Sequence, residues 1–161
     1  MTRINSAINV KYLTDEHLLA EHREIKRMPY FLFRSVKSGS VSKTPLMFTL
    51  GKGHVLFFLD KQKFLLERYK DIHDECIRRG FSVEDYSENW NSIENSYFND
   101  YTPTVIEKEA IIDRISQRIM DSPKKVWHYN GKKMSKEQAV GMLTEDEDKE
   151  IEKMLLEESK R

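Results

Sequence analysis

Apolar residues recur at three- to four-residue spacing in three stretches of the chain, a pattern that predicts three main helices. The first helix is predicted at about 15–27, where Thr14 supplies a capping side chain and Pro29 ends the pattern. Turn-forming residues are frequent in 30–49, and this stretch lacks a sustained helical period. We therefore expect an ordered loop there.

A central helix is predicted from about Gly53 to Arg79, with Gly80 as its C-terminal stop. A third helix opens at Thr102-Pro103 and ends near Ser122-Pro123. The apolar stripe of this third helix consists of Val105, Ile112, Ile115 and Ile119. No sheet of consequence is expected.

The C-terminal segment contains two capping-box patterns, Ser135-Lys136-Glu137-Gln138 and Thr144-Glu145-Asp146-Glu147. We predict a charged helix at about 145–159, whose narrow apolar stripe either packs back on the domain or makes a modest protein contact. The whole pattern is typical of an all-α protein, a single compact domain of three main helices with long loops plus a C-terminal charged helix.

Composition narrows the class of protein. The chain has 161 residues, 39% hydrophobic and 34% charged, which fits one soluble domain. No apolar run approaches the ~18–20 residues that a membrane span needs, and no secretory signal is visible. The sole cysteine, Cys76, lies on an apolar helical stripe and is expected in the core. We expect an intracellular, cytoplasmic protein that is a monomer.

Charge is distributed unevenly along a chain whose formal net charge is zero. Residues 1–80 carry 15 Lys or Arg against 9 Asp or Glu, whereas residues 81–161 carry 12 against 18. Within the second half, 110–140 is basic again, with 7 against 3, and 141–161 is acidic, with 4 against 8. The basic stretches suit a surface that faces phosphates, although a mixed, solvated surface explains charge alone equally well.

The N-terminus is a candidate nucleophile. Removal of Met1, which a small second residue permits, leaves Thr2 with a free α-amino group. Such a group has a pKa near ~7.7–8.0, against about 10.4 for a lysine side chain. Part of it is therefore unprotonated at neutral pH and able to attack a sugar carbon or carbonyl to form an imine.

Four blocks give the chain a family resemblance: MTRIN at 1–5, HLLAEHREIKR at 17–27, LGKGHVLFFLDK at 50–61 and ECIRRGF at 75–81. In this order they resemble the pyrimidine-dimer DNA glycosylase and AP lyase family, which includes endonuclease V of T-even phages. The resemblance extends to about residue 133. It implies a glycosylase and lyase domain at 1–133, an all-α fold, and a C-terminal helical extension at 134–161.

Two catalytic residues are implied by the resemblance, the Thr2 amine as nucleophile and the Glu24 carboxylate as stabiliser of positive charge on the sugar. Without it, Glu24 would be read as a solvated side chain paired with Arg23 or Arg27. No metal or other cofactor is expected, because the five histidines lack a ligand spacing.

The implied partner is damaged double-stranded DNA. The implied DNA-binding residues are Arg3, His17, Arg23, Arg27, Arg114, Arg118, Trp127 and Tyr129. The arginines are expected on two walls of one groove, and Trp127 is equally explained as a core residue. Glu16 stands where the phage motif has Gln, and Lys26 where it has Pro. Two alternatives stay open: the same chemistry on a ring-opened purine or an abasic site, and a catalytically silent DNA-binding module.

Overall fold

Residues 4–160 are described here from a computed structural model. In this range, the α-helices are α1 Asp15–Ile25, α2 Met28–Ser38, α3 His54–Phe58, α4 Gln62–Arg78, α5 Val105–Asp121 and α6 Lys136–Ser159. Strands β1 Trp127–Tyr129 and β2 Lys132–Met134 form one antiparallel hairpin, and short 3-10 turns occur before α1 and between later helices. The predicted all-α class is confirmed.

Helix α1 begins as predicted, because the Thr14 hydroxyl accepts a hydrogen bond from the His17 backbone N–H at 3.2 Å. The loop predicted at 30–49 is wrong over its first part. Pro29 does not end a helix but occupies the first turn of α2, where its missing N–H costs nothing. Gly39, with φ of +82°, ends this helix.

The predicted central helix is two helices. α3 ends at Phe58, and α4 begins at Gln62 after a break at Lys61, whose backbone pairs with Phe98 in an isolated antiparallel bridge. The predicted C-terminal stop of α4 is confirmed. Gly80 has φ of +83° and donates its N–H to the carbonyl of Ile77. The break was not predicted, and it lies where Lys61 contacts a segment more than thirty residues away in sequence.

α5 lies where the third helix was predicted, with Thr104 as its N-cap. α6 is longer than predicted, because the Ser135 capping box forms in full while Thr144 lies within the helix. The first half of α6 packs on α5 through Ala139 and Leu143. The second half exposes its apolar side chains, which are Ile151, Met154, Leu155 and Leu156.

Internal contacts divide the chain into two compact units. The described part of the first covers 4–6 and 18–102, and that of the second covers 7–17 and 103–160. The core of the first unit includes the fully buried side chains Phe58, Leu65, Tyr69, Ile72 and Cys76. The core of the second includes Ile111, Ile115, Ile119, Ala139 and Leu143. Cys76 is confirmed as a core residue.

Among residues 4–160, no helix combines the length and the apolar character required to cross a bilayer. The predicted division into 1–133 and 134–161 stays a prediction.

Candidate functional site

Glu24 and the arginines beside it belong to the first unit. The Arg27 guanidinium donates to the Glu24 carboxylate at 3.0 Å, and the two side chains are 52% and 29% exposed. Arg23 is exposed on the last turn of α1. The pairing with Arg27 is thus one of the two expected from spacing alone, and it leaves the carboxylate within reach of solvent.

The preceding residue, His22, is buried and fixes the opposite face of α1. Its Nε2 lies 3.3 Å from the Tyr69 hydroxyl and 3.4 Å from Nδ1 of His73. Burial lowers the pKa of His22, and the neighbouring His73 and Lys26 lower it further. A neutral His22 packed against α4 therefore holds the adjacent Arg23 and Glu24 towards the exposed side of the helix.

Lys26, one of the two departures from the phage motif, has a defined position. Its ammonium lies 3.9 Å from the centre of the Tyr86 ring, a cation–π contact. Its carbonyl accepts a hydrogen bond from the Asn89 side chain at 3.0 Å. Lys26 therefore contributes to holding the segment around Tyr86 against the end of α1.

A buried ion pair lies one turn before Glu24. Both carboxylate oxygens of Glu21 accept hydrogen bonds from the Arg68 guanidinium, at 2.9 and 3.1 Å. One of them also accepts from the Asn5 amide at 3.0 Å. Glu21 is 2% exposed and Arg68 is 7% exposed, so the charges are compensated inside the unit.

His54 makes a second buried contact with the start of the described chain. Its Nε2 accepts the Ile4 backbone N–H at 2.9 Å, and its Nδ1 lies 2.9 Å from the Thr49 carbonyl oxygen. We call Ile4, Asn5, Glu21, His54 and Arg68 the N-terminal clamp. It fixes the backbone immediately after Thr2 and Arg3, which lie outside the described residues.

A long basic stretch follows α1 in sequence. Residues 25–59 contain six Lys or Arg and no Asp or Glu. Within it, α2 exposes the apolar side chains Tyr30, Phe33 and Val36, and the Arg34 guanidinium lies 5.8 Å from the Tyr30 ring centre. Exposed rings beside cations are suited to a polyanion with flat bases.

His17 and Trp127 lie together in the second unit. Their rings are stacked, with centroids 5.2 Å apart and planes within 8°. The Thr14 hydroxyl lies 2.7 Å from Nδ1 of His17, and Trp127 is only 8% exposed. The indole therefore packs mainly against protein in this structure, and its predicted contact with DNA stays a prediction.

Glu16, the other departure from the phage motif, accepts several hydrogen bonds. The His128 ring lies 2.6 Å from its carboxylate, the His128 backbone N–H donates at 3.2 Å and Lys124 at 3.3 Å. Burial opposes ionisation, but the hydrogen bonds from His128 and Lys124 outweigh it, so the pKa of Glu16 is lowered. Glu16 thus holds strand β1 and the segment that precedes it.

Asp15 acts in the same way on the hairpin turn. Its two carboxylate oxygens accept the backbone N–H groups of Asn130, at 2.9 Å, and Gly131, at 2.8 Å. Both turn residues have positive φ, 52° and 79°. A carboxylate at the start of α1 therefore stabilises a turn that Asn and Gly adopt most readily.

The remaining predicted DNA-binding residues are also in the second unit. Arg114 and Arg118 are four residues apart on α5, Arg114 partly buried and Arg118 exposed, and Tyr129 is partly exposed in β1. The structure therefore brings Arg23, Arg27 and Glu24 together in the first unit. The other described DNA-binding candidates lie in the second unit. A single groove lined by both sets stays a prediction.

Within the part of the chain that the structure describes, no group of three or more His, Cys, Asp or Glu side chains is arranged to hold a metal ion.

Sequence reasoning missed the clamp residues Asn5, Glu21, His54 and Arg68. The available signal was a histidine in the apolar run 54–59, because a buried ring nitrogen needs a hydrogen-bond partner. The identity of that partner, a backbone N–H fifty residues away, was not readable from spacing.

The sequence profile of one known family matches this chain. The family is described as pyrimidine dimer DNA glycosylase, and the match covers residues 1–89, more than half of the 161. It includes Thr2, Glu24 and the N-terminal clamp, whereas Arg114, Arg118, Trp127 and Tyr129 lie beyond it. The chain belongs to the pyrimidine dimer DNA glycosylase family.

Proposed function

We propose that this protein is a DNA repair enzyme that excises cyclobutane pyrimidine dimers from duplex DNA and then cleaves the strand. The observation that carries the proposal is family membership over residues 1–89, the region that contains both Thr2 and Glu24. The partly exposed pair Glu24–Arg27 supports it, because a carboxylate within reach of solvent can approach a sugar that develops positive charge.

In the first stage, the amine of Thr2 attacks C1′ of the 5′ nucleotide of the dimer. The glycosidic C1′–N bond breaks and its electron pair stays on the base nitrogen, which takes up a proton, while the cyclobutane ring keeps the base joined to the 3′ pyrimidine. The Glu24 carboxylate stabilises the oxocarbenium character of the sugar. Opening of the sugar ring and loss of the amine proton give an imine between protein and DNA. The α-amino group is favoured over a lysine side chain as the nucleophile, because its ordinary pKa is lower.

In the second stage, a general base removes a proton from C2′ of the imine. The electron pair moves towards the imine and the C3′–O bond breaks, so the strand is cleaved on the 3′ side of that sugar. Water then hydrolyses the imine and releases the N-terminal amine. Each step moves protons and electron pairs between the protein, the sugar and water.

Recognition of the lesion fits the charges around Glu24. Arg23 and Arg27 flank it in the first unit, and the acid-free stretch 25–59 adds cations and exposed rings. Guanidinium groups match phosphate oxygens in geometry. A dimer weakens local pairing and stacking, which lowers the cost of bending the duplex and extruding a nucleotide.

The decisive experiment is borohydride trapping of the processed protein on ultraviolet-irradiated duplex DNA, with abasic and undamaged duplexes in parallel. A covalent adduct on irradiated DNA is expected, and it should disappear when one residue is added before Thr2. Intact mass of the protein from its native host should show that Met1 has been removed, because retained Met1 would block the nucleophile.

The same experiment separates the alternatives. An adduct on abasic DNA alone would assign a lyase with a different lesion, and a ring-opened purine duplex would then be the next substrate. Binding without any adduct, unaffected by Glu24→Gln, would assign a silent DNA-binding module.

A further inference from the structure

The chain immediately after the proposed nucleophile is held by two independent buried contacts. The Ile4 N–H donates to His54 and the Asn5 amide donates to Glu21, and all of these side chains or backbone groups are buried. Ile4 is fully buried, which adds an apolar contact between the two hydrogen bonds. A backbone fixed at two consecutive residues has little freedom to rotate or slide.

The two contacts of His54 define the state of its ring. A backbone N–H can only donate, so Nε2 must be the acceptor towards Ile4. A carbonyl oxygen can only accept, so Nδ1 must carry the proton towards Thr49. His54 is therefore a neutral imidazole in the Nδ1–H form, oriented between the edges of the Phe48 and Phe58 rings.

The contact between Asn5 and Glu21 also involves groups with little freedom to rearrange. Glu21 is charged and buried, and Arg68 supplies its counter-charge through two hydrogen bonds. The pair would be costly to rearrange, because either charge without the other would be uncompensated. Asn5 is thus attached to a buried and charge-compensated ion pair of the first unit.

We propose that His54 is a positioning residue for imine formation, acting by fixing Ile4, and that the Glu21–Arg68 pair assists it by fixing Asn5. This inference rests on the proposed function of Thr2. A fully extended chain reaches about 7 Å over two residues, so a fixed Ile4 nitrogen limits where the Thr2 amine can act. Reaction rates depend steeply on such positioning, and a misplacement of about 1 Å can cost about 100-fold.

The test compares three variants of the full-length processed protein. His54→Leu removes the acceptor at similar volume. His54→Gln restores a neutral acceptor at about the distance of Nε2 from the backbone. Gln62→Leu is the matched control, because Gln62 is also fully buried and joins two segments, through Leu59 and Trp90, without contacting Ile4 or Asn5.

Two quantities are measured on an abasic duplex: the dissociation constant, and the single-turnover rate of borohydride-trapped adduct at saturating protein. His54→Leu should slow adduct formation about 100-fold with an unchanged dissociation constant. His54→Gln should recover most of the rate. Gln62→Leu should be destabilised to a similar extent, as read by thermal unfolding, yet retain the parent rate below its transition.

Equal rates for His54→Leu and the parent would overturn the inference, and so would equal slowing by Gln62→Leu or no recovery in folded His54→Gln. A parent protein that gives no adduct, or an adduct that survives extension before Thr2, would instead remove the proposed nucleophile. The parent arm therefore separates failure of the proposed function from failure of the positioning role.

Asn5→Ala offers an independent check on the second contact. It should slow adduct formation less than His54→Leu does, because the Ile4 contact remains. A parent-like rate in this variant would remove the Glu21–Arg68 pair from the inference and leave His54 alone.

Discussion

The two ends of helix α1 carry similar side chains in different settings. At its beginning, Glu16 accepts hydrogen bonds from His128 and Lys124 and is part of the packing of its unit. At its end, Glu24 is paired one turn away with Arg27, and its side chain is 29% exposed. The two glutamates on this helix thus differ in their partners: Glu16 bonds to a distant segment of the chain, and Glu24 to a residue one turn away.

The difference separates a carboxylate that accepts hydrogen bonds from a packed segment from one paired with a largely exposed arginine. A partly exposed i,i+3 ion pair contributes at most about 1 kcal/mol, so the Glu24–Arg27 pair adds little to the stability of the fold. A carboxylate that accepts hydrogen bonds from a folded segment cannot be withdrawn without loosening that segment. Residue type and neighbouring charge alone do not distinguish these cases.

The largest effect should come from Glu24→Gln. Loss of the negative charge should slow excision of a pyrimidine dimer about 100-fold or more, while affinity for the duplex is retained and the thermal unfolding temperature is unchanged. Single-turnover cleavage of a defined dimer duplex measures the rate. A variant that cleaves as fast as the parent would remove Glu24 from the mechanism.

The next largest effect should be on stability, at the opposite end of the helix. Asp15→Ala leaves the N–H groups of Asn130 and Gly131 without their carboxylate acceptor and should lower the free energy of unfolding by about 2–3 kcal/mol. Urea denaturation measures it. Asp15→Asn, which keeps one acceptor oxygen, should lose less, and equal losses would contradict the assigned role.

Glu16→Gln should show a smaller, pH-dependent loss of stability. Because the pKa of Glu16 is lowered from 4.5, its carboxylate stabilises the fold above that pH and loses this contribution as pH falls through the lowered value. The parent should therefore exceed the variant by about 1 kcal/mol at neutral pH. The difference should shrink below pH 4.5, and a difference that grows in acid would contradict the assignment.

The smallest effect should appear in the salt dependence of DNA binding. Arg23→Ala should reduce the slope of log K against log salt by about 1, because an exposed arginine beside Glu24 releases a counterion on binding phosphate. Lys124→Ala is the matched control, since Lys124 already donates to Glu16. Equal changes in both variants would remove the distinction between the two ends of α1.

Local signals were sufficient for some helices and ambiguous for others. The cap at Thr14 and the stop at Gly80 correctly predicted ends of α1 and α4. The third helix, predicted to open at Thr102-Pro103, begins instead at Val105 after the N-cap Thr104. Pro29 was misread because proline favours both the residue after one helix and the first turn of the next. Only the tertiary structure, in which Leu32 and Ser35 are buried, shows that a helix continues beyond it.

Competing signals explain the error in α6. The sequence contains two capping boxes nine residues apart, and both are chemically complete. The one at Ser135 forms because it starts a helix that buries Ala139 and Leu143, whereas Thr144 bonds back to the Val140 carbonyl inside that helix. The burial of Ala139 and Leu143 therefore selects Ser135 over Thr144 as the start of the helix, and a capping pattern contains no information on burial.

Residues of the candidate site that carry a charge or belong to a motif could be predicted from the sequence. The contact that depends on a neutral hydrogen bond could not. The ion pair between Glu24 and Arg27 followed from helical spacing and is present, whereas the catalytic role of Glu24 was implied by the family resemblance and stays a prediction. His54 carried no distinguishing charge pattern, since its role depends on the backbone of Ile4. Long-range contacts between backbone and side chain leave no periodic trace in a sequence.

The fully buried Cys76 provides a chemical probe for local opening of the core around α4. As the chain's one thiol, it can react with an added disulfide reagent only when α4 separates from its surroundings. The labelling rate therefore measures how often that part of the core opens under native conditions. Damaged DNA that binds the closed form should slow the labelling, which gives an assay of binding without a modified protein.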